Sequence, residues 1–335
     1  MDNMTASPSN FIDRLFFGYQ NSAVLKAALE LDVFTAIGEG ATDAAALAAR
    51  CDAAPRGIVA LCDSLVVMGF LTKSSDSYTL SPDAAVFLDS RSPMCIASIH
   101  DFLAAPEMVA LMFQDPAGAV RRGGAPGLAN IAPDHPIWVR FARAMGPFMQ
   151  LDAKLVAEHA GDPPPRRVLD ISASHGLYGI AFGRRFPECR ITGLDWGAVV
   201  AVARENAVAA GMADRYDTIA GSAFEVAWGK SYDLVLLPNF LHHFDAASCT
   251  AILRRAHAAL SAGGRVAIVE WVPNEDRISP PVPALFTMTM LLTTPGGTTY
   301  TVLELAAILA NAGFESPKVT PLLPTPLTLL VARAQ

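Results

Sequence analysis

RRVLDISASHGLYGIAFGRRFPECRITGLDW, residues 166 to 196, is the stretch that decides the fold. Val168, Leu169 and Ile171 make a short apolar run of strand composition. Residues 172 to 176 are small apart from His175, and Leu177 to Phe186 has helical composition. A second apolar run then ends in Asp195. Strand, tight loop, helix and strand ending in an acid is half of a doubly wound nucleotide site. In such a unit small residues let a ligand reach the backbone amides at the helix start, and an acid about 20 residues on takes ribose hydroxyls. Asp195 lies 19 residues after Gly176.

The loop also constrains the ligand. A dinucleotide fingerprint wants GxGxxG, and Ser-Ala-Ser-His-Gly supplies one glycine, so a pyrophosphate is poorly provided for. Asp170 ends the first strand just before the loop, where a carboxylate repels phosphate and holds a cation such as the amino group of a methionine moiety. An acid, small residues, a glycine and a second acid after the next strand resemble the class I S-adenosylmethionine (SAM) fold. The plainer alternative is an ordinary βαβ unit with a tight turn.

Downstream the alternation continues. Trp196 to Gly211 reads as a helix, DRYDTIAGSAF as a strand, and SYDLVLLPNFLHHFD as a strand with its exit loop. DAASCTAILRRAHAALSAGG reads as an amphipathic helix capped by Asp245 and stopped by Gly-Gly, and RVAIVEWVP as a fifth strand. Regular alternation predicts a parallel sheet with ligands at the carboxyl ends of its strands. Asp170, Asp195, Ser222, His242 and Glu270 all fall at such ends.

Upstream, residues 11 to 91 read as a helical module closed by a hairpin. Phe11 to Leu31 is a helix, residues 42 to 70 are helix, turn and helix, and FLTKSSDSYTL is two strands around a turn. This is a winged helix. Between Thr42 and Ser90 three basic residues (Arg50, Arg56, Lys73) face six aspartates, and a recognition helix needs cations and polar tips. A dimerisation or packing module is therefore expected rather than a DNA reader. GAVRRGGAPG, 118 to 127, reads as a solvated loop. HPIWVRFARAMGPFMQLDAKLVAEHA reads as a long helix with a kink expected at Gly146-Pro147. Its Trp138, Phe141, Met145, Phe148 and Met149 form an apolar face, either core or the wall of a flat apolar pocket.

Composition sets the outer bounds. The chain has 335 residues, 52% apolar and 17% charged, with net charge −7, which argues against a general nucleic-acid binder. No apolar run reaches the roughly 18 residues of a membrane span. MDNMTASPSNFIDR lacks a basic and apolar leader pattern. Five cysteines without a CxxC suit reduced thiols, so a cytoplasmic location without membrane partners is expected.

Chemistry points to His242 and Glu270, at the ends of neighbouring strands. A glutamate amid Val and Ile requires a partner, and a carboxylate that holds an imidazole fixes its tautomer and raises its basicity. A purely structural His-Glu bond is the alternative. No further His or Cys arrangement has metal-ligand spacing, so no metal is expected.

On these residues the chain resembles SAM-dependent O-methyltransferases of the caffeic-acid O-methyltransferase type, a family common among bacterial tailoring enzymes. The resemblance runs through the winged helix, FARAM, VLDISASHG, ITGLDW, AGSAF, YDLVLLPNFLHHF, VAIVE, TTPGG and NAGF. It implies an α/β class I methyltransferase fold. The domains would be 1–91 for dimerisation, 92–160 for linker and substrate-lining helices, and 161–335 for SAM binding. It implies His242 as base and Glu270 as its support. Cofactor contacts would come from Asp170, Ser172 and Gly176 of the loop, from Asp195 and Trp196, and from Gly221, Ser222, Ala223 and Phe224 around adenine. Pro238 and Asn239 stand where the family has a lysine. Phe141, Met145, Met149 and His243 would face the acceptor.

Departures accompany the match: one glycine in the loop, Ser222 for an aspartate, His243 for an aspartate, Phe244 for a tryptophan, and Thr298 or Thr299 for a second catalytic glutamate. The activity implied is methyl transfer from SAM to a hydroxyl of a small aromatic or polyketide-like acceptor, by a homodimer. The alternatives are N- or C-methylation, a SAM-binding decarboxylase or cyclase, or a SAM-sensing regulator.

Overall fold

The computed structural model describes residues 8–335, with side chains from residue 17; the reading of the first fourteen residues lies outside the described side chains. The chain forms two compact units, 1–104 and 105–335.

The first unit contains α1 (Pro8–Glu30), α2 (Val33–Gly38), α3 (Ala44–Arg50), α4 (Pro55–Val67), the hairpin β1 (Leu71–Ser74) and β2 (Ser77–Leu80), α5 (Pro82–Phe87) and α6 (Ile99–Leu103). Asp43 caps α3 by accepting the Ala45 and Ala46 amides, and Pro55 opens α4, where a missing N–H costs nothing. Leu47, Ile58, Cys62, Leu65, Leu71 and Tyr78 bury into one core, so α3, α4 and the wing close on each other. Arg50 is paired with Glu39 and Asp32, and Lys73 with Asp63, which leaves little free positive charge on this winged helix.

The second unit opens with α7 (Pro106–Phe113) and α8 (Pro116–Arg122). The solvated loop expected from residue 118 is half helix instead. Asp115 accepts the Gly118 amide at 3.0 Å, Pro116 occupies the first turn, and Gly123 stops the helix in a left-handed conformation at φ 75°. Gly124 and Gly127 then lie so close to the backbone of Thr293 to Pro295 that a Cβ at either would collide with it. The long helix α9 (Pro136–His159) is one continuous element with Pro147 inside it.

Seven strands form the main sheet, in the order β5-β4-β3-β6-β7-β9-β8. They are β3 (Arg167–Ile171), β4 (Arg190–Asp195), β5 (Tyr216–Ala220), β6 (Tyr232–Pro238), β7 (Leu260–Glu270), β8 (Lys318–Pro321) and β9 (Thr328–Arg333). The order reverses between β3 and β6, so the crevice at their carboxyl ends is the switch point of the fold. Helices α10 (Leu177–Arg185) and α11 (Gly197–Ala209) join α9 on one face, where they bury Val168, Ile191, Leu234, Leu236 and Val269. Helices α12 (Ala246–Ala259) and α14 (Val302–Asn311) cover the other, over Leu169, Ile171, Val235, Leu237 and Ile268. The period-2 alternation explains why strands of such uniform apolar composition serve two cores. Helix α13 (Pro281–Thr293) packs on α7 and α8.

Two further expectations needed correction. The sheet is not wholly parallel: β9 runs antiparallel to both neighbours, because PLLPTPL turns the chain back in a tight hairpin, with Leu322 N–H donating to Leu327 O. Helix α12 also ends at Ala259, before Gly-Gly. Leu260 is already extended and pairs with Tyr232, and residues 261 to 264 form an irregularity before Arg265 resumes the ladder opposite Leu234.

Candidate active site

The edge of the sheet assembles the site strand by strand. Asp170, on β3 opposite Gly193 of β4, faces the α10 side and is fully buried. Its Oδ2 accepts the Gly179 amide at 3.0 Å, while Oδ1 has no partner among the described residues. Desolvation, and secondarily the nearby Asp195 charge, push its pKa up to about 8. Asp195 ends β4. One oxygen accepts the Ser174 amide at 2.9 Å and the other the Trp196 amide at 2.7 Å. Burial pushes its pKa up to about 6, against the lowering effect of both amides. Each oxygen retains lone-pair capacity for a further donor.

Between these acids runs the loop. Ser172 and Ser174 both have left-handed backbones, at φ 55° and 49°, and Gly176 follows at φ 74° as the N-cap of α10. A non-glycine residue there is strained by about 1 kcal/mol or more. Ser174 Oγ is a second buried atom without a partner. Trp196 starts α11 and packs with Trp138 and Val139 of α9 around Ala142. After β5, Gly221 N–H donates to Asp195 O, which draws residues 221 to 224 alongside the acid. Ser222 Oγ accepts the Phe224 amide, and Ala223 is buried. Phe224 presents its ring edge-on to Phe244, centroids 5.0 Å apart.

The tip of β6 carries the polar core of the site. Pro238 pairs with Val269, and Asn239 is left-handed at φ 51° with its N–H donating to Val269 O. Its Nδ2 donates to Tyr178 Oη at 3.3 Å and approaches Met149 Sδ at 3.8 Å, while Oδ1 is buried without a partner. Met149 thus faces the β6 tip from α9. Met145 is half-buried on the cluster between α9 and the sheet, and Phe141 is half-buried one turn earlier.

A short 3₁₀ turn, Leu241–His243, then brings His242 to Glu270. His242 Nδ1 and Glu270 Oε2 are 2.6 Å apart, both residues buried. Glu270 Oε1 accepts the Leu241 and His242 amides at 2.8 and 3.2 Å, so the carboxylate is fixed by the turn it supports. An ionised carboxylate only accepts, so Nδ1 carries the hydrogen and Nε2 keeps its lone pair. The His243 ring lies 4.3 Å from that of His242, and burial, with the neighbouring imidazole, holds its pKa well below the ordinary value.

Three site residues carried no usable sequence signal. Phe286 of α13 meets His242 edge-on at 5.1 Å and stacks obliquely on Trp271 at 4.9 Å, which builds an aromatic wall beside the imidazole. Tyr178 reaches Asn239 from α10. Trp271 directly follows Glu270, and that adjacency was its one available clue. Of the two threonines that stand where the resemblance expects a second glutamate, Thr299 is buried and hydrogen-bonded to Thr287 of α13, while Thr298 is half-buried. Among the described residues no cluster of three or more His, Cys, Asp or Glu side chains offers a metal site.

Comparison with known proteins gives the family. An O-methyltransferase domain model matches residues 122–315 and an O-methyltransferase dimerisation domain model matches residues 13–90. The chain is 30% identical over 321 residues to acetylserotonin O-methyltransferase of Mus musculus, covering 90% of this chain and 82% of that protein. It is 28% identical over 306 residues to 3-hydroxy-5-methyl-1-naphthoate 3-O-methyltransferase of Streptomyces sahachiroi, covering 88% and 86%. A crystal structure of a protein from Nostoc punctiforme superposes with TM-score 0.93 at 46% identity over 98% of this chain and 99% of that one. The chain belongs to the SAM-dependent O-methyltransferase family.

Proposed function

We propose that the chain transfers the methyl group of SAM to a hydroxyl on a small aromatic or polyketide-like acceptor, with His242 as general base and Glu270 as the carboxylate that orients it. The observation that carries this reading is the 2.6 Å Nδ1 to Oε2 contact with Oε1 pinned by two amides. It leaves one imidazole lone pair, on Nε2, available to take a proton. The naphthoate named for the Streptomyces relative and the acetylserotonin named for the mouse relative support an aromatic acceptor. The aromatic pair Trp271 and Phe286 beside the base suits a flat ring.

The residues at the sheet edge fit the cofactor. The unpartnered acceptors Asp170 Oδ1, on β3, and Asn239 Oδ1, just past the end of the neighbouring β6, would hold the ammonium of its methionine moiety, with Ser174 Oγ as a further contact. Asp195, with spare lone pairs, would accept the ribose hydroxyls, and Gly221 to Phe224 would flank the adenine. Ser172, Gly176, Trp196 and Pro238 shape this cleft, while Phe141, Met145, Met149 and His243 are assigned to the acceptor side. When bound, SAM supplies an electrophilic methyl and a neutral thioether leaving group. His242 Nε2 accepts the hydroxyl proton as the oxygen–carbon bond forms, and the buried site aligns oxygen and methyl for in-line displacement. A phenol ordinarily titrates near pH 10, so a positioned base contributes about 10²- to 10⁴-fold.

The dimerisation-domain match and five unpaired cysteines support a cytoplasmic homodimer. Among the described residues no helix is long and apolar enough to cross a membrane. The test is incubation with methyl-labelled SAM and a panel of hydroxynaphthoates and phenols. Label in an O-methyl ether supports the reading. Product formation with the label retained on sulfur, or label on nitrogen or carbon, would reject it.

A further inference from the structure

Two strained serines of the loop assigned to the cofactor adjoin a side chain that the proposed reaction does not use. Ser172 and Ser174 occupy left-handed backbone, where glycine is at ease and serine is strained. His175, the residue after Ser174, is 4% exposed and anchors the end of the loop. Its Nδ1 accepts the Leu177 amide at 3.1 Å, closing the first turn of α10. Its carbonyl accepts Asn206 Nδ2 from α11 at 2.8 Å. Its ring stacks on Tyr178, centroids 6.1 Å apart, and its Cβ lies against Gly146 of α9. One residue therefore ties the loop to all three helices of that face.

We propose that His175, together with Asn206, is a positioning residue for the cofactor: a side-chain staple that holds the serine-bearing loop in its binding conformation, where a glycine-rich loop would adopt that conformation unaided. This rests on the cofactor reading above. The staple needs a neutral imidazole, since only a lone pair on Nδ1 can accept the Leu177 amide. Burial supports that state by lowering the ring's pKa to about 4. If the staple is cut, the strained serines relax and the Ser174 amide leaves Asp195, so the acid assigned to the ribose loses its orientation. His242 lies in the turn after β6 and Glu270 ends β7, and Glu270 hydrogen-bonds His242 and the Leu241 amide rather than this loop. The effect therefore falls on SAM binding and KM rather than on kcat.

Calorimetric titration of SAM and of S-adenosylhomocysteine separates the possibilities, with folding checked by thermal unfolding. For His175→Ala we expect a Kd raised about 10-fold, the scale of a lost helix-cap hydrogen bond, with kcat at saturating SAM lowered less than about 3-fold. His175→Asn, whose Oδ1 stands where Nδ1 stood, is expected within about 2-fold of wild type, on the same cap argument. Ser172→Gly and Ser174→Gly added to His175→Ala are expected to recover most of the loss, because glycine removes the strain that the staple opposes. Wild-type affinity in His175→Ala, equal weakening in the alanine and asparagine variants, or failure of the glycines to recover binding would each overturn the proposal. Should His175→Ala not fold, Asn206→Ala takes its place, with an expected loss of about 3-fold and the same glycine recovery; unchanged affinity in that variant would overturn it. A wild-type protein that binds neither nucleoside would refute the cofactor reading itself.

Discussion

The residue on which the site turns is Glu270, because its two oxygens do different work. Oε1 takes two amides and holds the turn; Oε2 takes the Nδ1 hydrogen and fixes the tautomer. Glu270→Gln keeps the shape and an acceptor for the amides, but its NH₂ would face Nδ1 and favour the tautomer with hydrogen on Nε2. We expect kcat to fall by about 10³- to 10⁴-fold, as a mis-set tautomer does in other imidazole-base enzymes, with SAM affinity within about 3-fold. A loss below about 10-fold, again on the tautomer argument, would show that the carboxylate does not set the base. Asp170 gives a pH signature. Its folded-state pKa of about 8 is above the ordinary value of 3.8, so the stability it contributes is full below about pH 4 and is lost as pH rises through about 8. Asp195, pushed up to about 6, adds in the same direction. Thermal unfolding without cofactor should therefore show a midpoint that declines from pH 5 to 8 less steeply in Asp170→Asn than in wild type. Parallel curves would contradict the buried, unpaired carboxyl.

At the scale of elements, the site depends on how the turn after β6 is clamped. The Pro-Gly-Gly segment after α13 lies against it so closely that a Cβ on Gly297 would collide with the His242 carbonyl. Gly297→Ala is expected to retain the fold while methyl transfer falls at least about 10-fold, since small misplacements of a reacting group are expensive. Circular dichroism and initial rates check this, and wild-type turnover would refute the clamp. Much of this architecture was legible because the parallel strands are buried on both faces and read as apolar runs with polar tips, so Asp170, Asp195, His242 and Glu270 could be placed at one edge from sequence. The remainder was hidden for physical reasons. Phe286 lies in PVPALFTMTMLLT, which is apolar on every side and gives no phase to tell which residue faces the base. Asp115 and Pro116 begin a helix that the glycines after Arg122 disguise as a loop. The antiparallel β9 follows from a proline-rich hairpin whose strands are too short to declare direction. His175 sits in a turn, where nothing in the spacing reveals that its ring folds back to cap α10.

For the whole molecule, the dimerisation-domain match over residues 13–90 carries a prediction about assembly. Light scattering after size exclusion should give twice the chain mass of 35.5 kDa, and the unfolding midpoint should rise with protein concentration. A monomer mass at micromolar concentration would contradict it. In the proposed reaction the sheet, its two helical layers and the crevice at the β3/β6 reversal serve one chemical end: to hold an imidazole, oriented by a buried carboxylate, opposite a methyl donor. The most direct test is the single-turnover rate of methyl transfer to a phenolic acceptor in His242→Gln, with the bound SAM fraction measured in the same samples. Full SAM occupancy and a rate at least about 10²-fold below wild type are expected. A rate within a few-fold of wild type at equal occupancy would contradict the general-base role of His242.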